Sequence, residues 1–229
     1  MSIKLIAADL DGTLLTSDKR LPDGLFAMIR ELRRRGVRFA PASGRPYYTI
    51  YEQFGEIADE LVFISENGAM VCDGPRILSF EAMDRGVVCR AVQAVRETPG
   101  VSAIVSARDG GFYEDASDPA FLENITLYCT RRTPVPDLLE FVQREPVCKV
   151  ALFCGGRAEE VLLPAFRPFD GECQLALSGA DWVDMMCLGM NKGHAVRALC
   201  VDLGCTTDEC MAFGDYLNDL EMIRAAGES

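Results

Sequence analysis

The 229-residue chain has a single histidine, His194, and a single tryptophan, Trp182. It has no Cys-x-x-Cys pair, although it has ten cysteines. Without histidines or paired cysteines to supply nitrogen and sulfur, a zinc site has no basis in the sequence. Most of the cysteines lie in apolar runs such as Val147 to Cys154, where a reduced thiol behaves as a small buried hydrophobe. A disulfide framework is therefore not expected, and free thiols point to a cytoplasmic protein. No apolar stretch reaches the length of a membrane span, and the N-terminus lacks the charged-then-apolar layout of a signal peptide. Positive charge is also in deficit: 23 Lys and Arg against 35 Asp and Glu leave a net charge of -12. That balance argues against nucleic acid or an anionic membrane as a partner. An anionic substrate would need cations gathered locally, against the overall field. There is no internal repeat and no low-complexity segment.

What the chain does have is apolar residues, 49% of the total, and a regular alternation of short apolar runs with helical patterns. The run Ile3 to Ala8 ends in Asp9-Leu10-Asp11-Gly12-Thr13. Leu25, Met28, Ile29 and Leu32 then fall at helical spacing between Pro22 and Gly36. A strand is expected over Val37 to Ala42, followed by Ser43-Gly44-Arg45-Pro46 and a short helix to about Phe54. Another strand, Leu61 to Ile64, runs into Glu66-Asn67-Gly68-Ala69, and Asp73-Gly74 predicts a hairpin turn before Arg76–Phe80. Apolar strands buried on both sides, alternating with helices, imply a parallel sheet. Beyond residue 80 the texture changes. Helical stretches near 88–95, 136–142 and 157–166 alternate with strands at 101–106, 147–154 and 173–177, as in a smaller α+β domain inserted into the first. Trp182 to Leu188 is expected to lead back to a helix over Lys192–Leu203, a strand at Cys210–Phe213 and a closing helix from Leu217 to Ala226.

Four polar clusters fall at strand ends or helix starts: Asp9 with Asp11, Ser43-Gly44, Asn191-Lys192-Gly193, and Gly214-Asp215 with Asn218 and Asp219. Each alone has an ordinary explanation as a turn, a cap or a solvated lysine. In open parallel sheets, however, ligands bind beyond the carboxyl ends of the strands, where these clusters lie. Together they suit phosphoryl transfer. A carboxylate such as Asp9 can attack phosphorus and divide hydrolysis into two steps, and a second carboxyl group, Asp11, can give and take the protons. Converging carboxylates, completed by Asp215, repel each other unless a cation sits among them, and oxygen ligands suit Mg²⁺. Lys192, the Ser43 hydroxyl and backbone N–H groups at helix starts provide donors for the phosphoryl oxygens.

These stretches resemble the haloacid dehalogenase-like phosphatases, in particular the Cof-type branch with a type IIB cap. The matching residues are Asp9 to Leu15, Ala42 to Pro46, Glu66 to Ala69, Asn191 to Gly193 and Gly214 to Asp219, spanning nearly the whole chain. The resemblance implies a Rossmann-like α/β core from residues 1–80 and 181–229, with an α+β cap at 81–180 acting as a substrate-selecting lid. It implies Asp9 as nucleophile and Asp11 as general acid/base. Mg²⁺ would be held by the Asp9 and Asp215 carboxylates and the Asp11 carbonyl. The phosphate would be held by Ser43, Gly44, Lys192, Asn218 and the Leu10 N–H, with Asp219 partnering the metal site or Lys192. Relatives usually continue with a further strand-helix unit carrying Gly-Asn-Ala, whereas this chain stops at Ser229. The strand Cys210–Phe213 is then expected to be a sheet edge, either used for self-association or covered by a neighbouring segment.

The expected activity is Mg²⁺-dependent hydrolysis of small phosphate monoesters such as sugar phosphates, nucleotides or cofactor phosphates. A phosphomutase on the same scaffold and a non-catalytic phosphate-binding module are the alternatives. Among the remaining residues, His194 is expected to cap or pack its helix. Arg45 is expected to make a structural ion pair or meet a substrate anion, Trp182 to pack at the domain junction, and Lys149 to mark an exposed strand face.

Overall fold

The apolar runs that open the chain are too short for helices, and in the computed structural model, which describes residues 2–114 and 118–229, they form strands. Chain order begins with β1 (Leu5–Asp9), α1 (Leu25–Arg34), β2 (Arg38–Ala42), α2 (Tyr47–Phe54), β3 (Val62–Ser65), β4 (Met70–Asp73) and β5 (Arg76–Phe80). It continues through α3 (Arg85–Glu97), β6 (Ser102–Ala107), β7 (Gly110–Glu114), α4 (Pro119–Tyr128), β8 (Arg132–Val135), α5 (Leu138–Arg144) and β9 (Val147–Phe153). The remainder is α6 (Leu163–Phe166), β10 (Gln174–Leu177), β11 (Trp182–Met186), α7 (Lys192–Asp202), β12 (Cys210–Phe213) and α8 (Leu220–Ala225). Two units result: Met1–Ser79 with Met190–Ser229, and Phe80–Gly189. None of the helices described is long and apolar enough to cross a membrane.

In the first unit the sheet order is β12-β1-β2-β3-β4-β5. Strands β12, β1, β2 and β3 run parallel, and β4 turns back antiparallel on β3. Side chains alternate along a strand. Leu5 and Ala7 therefore share one face of β1, where they pack with Ala195, Val196 and Leu199 of α7 and Met222 of α8. In the aromatic packing of α2 against β3, Phe63 is fully buried and meets Tyr47 and Phe54 edge-on at 5.6 and 6.1 Å between ring centres. Burial of such a ring is worth about 1.5–3 kcal/mol. Parallel strands place all their carboxyl ends on one edge, so Asp9, Ser43, Glu66 and Gly214 emerge together. The order steps from β1 to β2 and β3 on one side and to β12 on the other, which makes the end of β1 the topological switch point.

The outer edge of β12 is partly covered by the chain's own last residues. Glu228 bridges to Met211 in parallel, Ala212 N–H donates to the Glu228 carbonyl at 2.9 Å, and Gly227 and Glu228 N–H both donate to the Cys210 carbonyl. A segment covering this edge is one of the expected outcomes, and the 227–228 backbone supplies one.

The second unit is a sheet of order β10-β11-β9-β6-β7-β8, antiparallel except for the pair β7–β8. One face carries α3 and α5, with Val88, Val92, Leu138 and Val142 packed on Val105, Val150, Leu152 and Val183. The other carries α4, whose Phe121 and Ile125 cover Ile104, Ala151 and Phe153. Three sequence expectations change here. Trp182 to Leu188 does not lead back into the first unit: β11 is a strand of the second unit's sheet, and the division falls after Gly189, not near residue 181. Trp182 packs within that unit against Phe153, with ring centres 4.9 Å apart. Lys149 does not mark an exposed face: it is only 5% exposed and lies 3.9 Å from the equally buried Asp184. Elements β7, α4 and β8 were not anticipated. Exposed Leu127 and Tyr128 blur the helical period of α4, and β8 is four residues with an internal proline. None of the ten cysteines is disulfide-bonded; seven are buried and three partly so, as their apolar surroundings in the sequence suggest.

Adjacent amides of a strand point to opposite sides. Deleting Gly227–Ser229 should therefore speed hydrogen exchange of the Ala212 N–H by about tenfold, the worth of one lost hydrogen bond. The Met211 amide, facing β1, should be unaffected. Equal acceleration at both residues would show that the tail supports the whole strand and not its edge alone.

Candidate active site

Asp9 is the last residue of β1 and shares the face of Leu5 and Ala7, which is the face packed by α7. That helix begins at Lys192, so its first side chain points back over the strand end. Lys192 is completely buried. Its Nζ donates to Asp9 Oδ1 and, at 2.5 Å, to Asp219 Oδ1. Asn191 caps α7, its Oδ1 accepting from the His194 N–H at 2.8 Å. The His194 side chain itself is exposed, so in the cap only its backbone takes part.

Asp219 uses both oxygens internally. Oδ1 takes Lys192, and Oδ2 accepts from the N–H groups of Asp215 and Tyr216, both at 3.1 Å. It thereby fixes the turn that presents Asp215 and orients Lys192. The carboxylates of Asp9, Asp215 and Asp219 lie close enough that one oxygen of each falls within 4.8 Å of the others. Asp215 is held from the other side by Thr13 Oγ1, which donates to its Oδ1 at 2.9 Å. Gly12, at φ 92°, has no room for a side chain, because a Cβ there would lie 2.3 Å from Asp215 Oδ2. The glycine of the first motif thus admits the aspartate of the last.

Ser43 is buried directly after β2, its hydroxyl accepting from the Arg45 N–H at 3.2 Å. Ser43 N–H donates to the Ile64 carbonyl, which ties this turn to β3. Leu10 is buried beside Asp9, and its backbone acts to lower the proton affinity of the Asp9 carboxyl. Asn218, exposed on the turn before α8, donates from Nδ2 to Asn67 Oδ1 at 3.2 Å. The carboxylate of Asp11 faces elsewhere than the acidic trio. Arg45 grips it with Nε and one terminal nitrogen at 3.0 and 2.7 Å, and Lys19 Nζ adds a contact at 2.8 Å. Arg45 therefore makes an ion pair inside the site. Lys19, Thr13 and Asn67 carried no role in the sequence reading. Asn67 lay in a recognised stretch, but nothing in the spacing said what it would touch.

The two aspartates of the first motif are pushed in opposite directions. Burial raises the Asp9 carboxyl above its ordinary value, with Lys192 only partly offsetting it. Burial acts the same way on Asp11, but Lys19 and Arg45 outweigh it and hold that group below its ordinary value. The two carboxyl groups thus differ in proton affinity, Asp11 being the more readily ionised. The carboxylates of Asp9, Asp215 and Asp219 face one ammonium group, leaving excess negative charge around a set of hard oxygen donors. That set fits a divalent cation of the Mg²⁺ type and offers nothing to a thiophilic ion.

The sequence model of the haloacid dehalogenase-like hydrolases matches residues 6–229. The chain is 30% identical over 237 residues to the Escherichia coli 5-amino-6-(5-phospho-D-ribitylamino)uracil phosphatase YbjI, covering 100% of this chain and 84% of that protein. It is 29% identical over 230 residues to the HMP-PP phosphatase of Cronobacter sakazakii, covering 98% and 82% respectively. Among solved structures, one from Streptococcus mutans UA159 superposes with a TM-score of 0.84 at 26% identity, over 100% of this chain and 86% of that one. A sugar phosphatase of subclass IIB shares the fold, with a TM-score of 0.77 at 21% identity over 98% and 85% of the two chains.

Replacing Lys192 by methionine keeps the volume but leaves two buried carboxylates without their cation. Losing one partner of a buried ion pair costs about 3–5 kcal/mol. Without Lys192 the folded-state affinity of Asp9 for a proton rises further above the unfolded value, so the native state binds more protons than the unfolded one and stability falls as pH rises. The deficit of Lys192→Met against wild type, measured by denaturant unfolding, should therefore be largest near neutral pH and shrink as pH falls. A deficit independent of pH would indicate lost packing only.

Proposed function

The chain belongs to the haloacid dehalogenase-like hydrolase family as a phosphatase, and on that basis we propose that it hydrolyses small phosphate monoesters in a Mg²⁺-dependent reaction through a phosphorylated Asp9. The observation that carries the proposal is the buried Lys192 holding Asp9 at the strand end, with Asp215 and Asp219 alongside. Lys192 fixes the Asp9 carboxylate in one orientation and supplies positive charge where a phosphoryl group would sit. Asp9 attacks phosphorus, the ester oxygen leaves, and the alcohol takes its proton from Asp11. Water then attacks the same phosphorus, Asp11 accepts its proton, and phosphate departs with Asp9 restored. The Arg45 and Lys19 contacts hold Asp11 as a carboxylate, the form needed for the second half. For the first half those two cations must be drawn off it, and an incoming phosphate ester is the anion to do so.

Asp9, Asp215 and the Asp11 backbone carbonyl would hold the Mg²⁺, with Asp219 behind them bracing Lys192 and the Asp215 turn. The ion, when bound, offsets the charge of the carboxylates and of the phosphoryl oxygens. Ser43, Gly44, the Leu10 N–H, Lys192 and Asn218 form the seat for the phosphoryl group. The second unit, Phe80–Gly189, would select the ester. The relatives named for a phosphoribitylamino-uracil and for HMP-PP support a substrate among phosphorylated metabolites of sugar, nucleotide or cofactor type.

Phosphate release from a panel of such esters should require Mg²⁺ and stop with EDTA. Asp9→Asn should abolish turnover in a folded protein, and Asp11→Asn should slow it by roughly 10²–10⁴-fold. Turnover by Asp9→Asn would rule out the covalent step. Because burial raises the Asp9 carboxyl above its ordinary value, Mg²⁺ affinity in calorimetric titration should weaken as pH falls, starting at a higher pH than an ordinary aspartate would give.

A further inference from the structure

The stretch Glu66-Asn67-Gly68 recurs in no step of that reaction, yet it is the most conformationally unusual segment of the first unit. All three residues have positive φ, at 51°, 53° and 102°. Residues with side chains avoid this region, asparagine being among the few that enter it readily. Such backbone persists only where its surroundings over-determine it. Glu66 and Asn67 are also buried, directly beyond β3.

Their bonds run to the phosphate seat. Asn67 N–H donates to the Ser43 carbonyl at 3.0 Å, and Glu66 N–H donates to the Arg45 carbonyl at 3.1 Å. The turn 43–45 is thereby clamped on both sides of Gly44. The Asn67 amide lies over Gly44 itself: a Cβ on Gly44 would meet its Nδ2, Oδ1 and Cγ at 3.0 to 3.3 Å. From the opposite side Asn67 Oδ1 accepts from Asn218 Nδ2 at 3.2 Å. One side chain thus touches two segments that are distant in sequence and both assigned to the same phosphoryl group.

We infer that Asn67 is a positioning residue that locks the Ser43-Gly44 turn and the Asn218 amide into a single preorganised phosphate seat. The inference rests on the proposed phosphatase reaction and adds a residue to it. Asn218 carries two hydrogens on Nδ2. With one given to Asn67 the amide cannot rotate, and the other keeps a fixed direction for a phosphoryl oxygen. Donors fixed before the charge arrives need no reorganisation, which is what makes them effective.

The test compares wild type with Asn67→Gly, which keeps the left-handed backbone and removes the amide, and with Asn67→Asp, which keeps its shape. Asn218→Ala and the double variant Asn67→Gly/Asn218→Ala complete a cycle. Readouts are inhibition by orthovanadate, kcat and KM on one ester with Mg²⁺, and thermal unfolding. Asn67→Gly is expected to weaken vanadate inhibition on the order of tenfold, the loss of one oriented hydrogen bond, with Mg²⁺ affinity retained. The double variant should lose less than the sum of the two single losses, because either substitution removes the Asn67–Asn218 bond. Additive losses in the cycle, or vanadate inhibition within about twofold of wild type in folded Asn67→Gly, would overturn the inference. Should Asn67→Gly fail to fold, Asn67→Ala, which also removes the Oδ1 acceptor, decides by the same criterion. A wild-type protein that neither releases phosphate nor binds vanadate would instead remove the phosphatase reading, and this inference with it.

Discussion

The first unit is organised around one buried ammonium group. Lys192 is fully enclosed and bonded to two carboxylates that come from different parts of the chain. A charge removed from water is tolerable only with close, well-aligned partners, so β1, α7 and the turn before α8 cannot shift relative to one another without exposing an uncompensated charge. The same ion pairs that demand this geometry also hold the carboxylate proposed to react, Asp9, in place. The cost of burying Lys192 is thus offset by contacts that serve the chemistry, and the surrounding elements inherit their positions from it. Gly12, which admits Asp215, and Asp219, which braces the next turn, follow from the same requirement.

Much of this was legible in the sequence because the chemistry is concentrated at strand ends. Asp9, Ser43, Lys192 and Asp215 each follow or begin an element whose apolar pattern is plain, and the parallel sheet brings them to one edge. What was not legible depends on the third dimension. No periodicity announces that Asn67 reaches across to Asn218, or that Lys19 folds back on Asp11. Lys149 shows the same limit: a lysine among apolar residues in a strand looks solvent-facing until a partner such as Asp184 is known to lie on the adjacent strand. The strands β7 and β8 and the helix α4 escaped notice because glycine, proline and exposed apolar residues obscure the patterns on which such readings depend.

The net charge of -12 makes the distribution of cations informative. Arg45, Lys19 and Lys192 are gathered within the site of a protein that otherwise repels anions. Two of them rest on Asp11, and the third on Asp9. Positive charge is thus held on the protein's own carboxylates, two cations outweighing burial at Asp11 and one only partly offsetting it at Asp9. In the proposed reaction an anionic ester would compete for these partners, so recognition would involve exchange of ion pairs and not simple addition of new ones.

The buried thiols have a use of their own. Burial pushes Cys72 in the first unit up to about 12 and Cys173 in the second up to about 11, so neither is a nucleophile while enclosed. Each can react with an alkylating reagent only when its surroundings open. The thiols therefore form a built-in set of clocks, with Cys72, Cys200 and Cys210 timing excursions of the first unit and Cys148, Cys154 and Cys173 those of the second. Peptide-resolved labelling rates would show whether the two units breathe together or independently, in an unmodified chain and without an introduced probe.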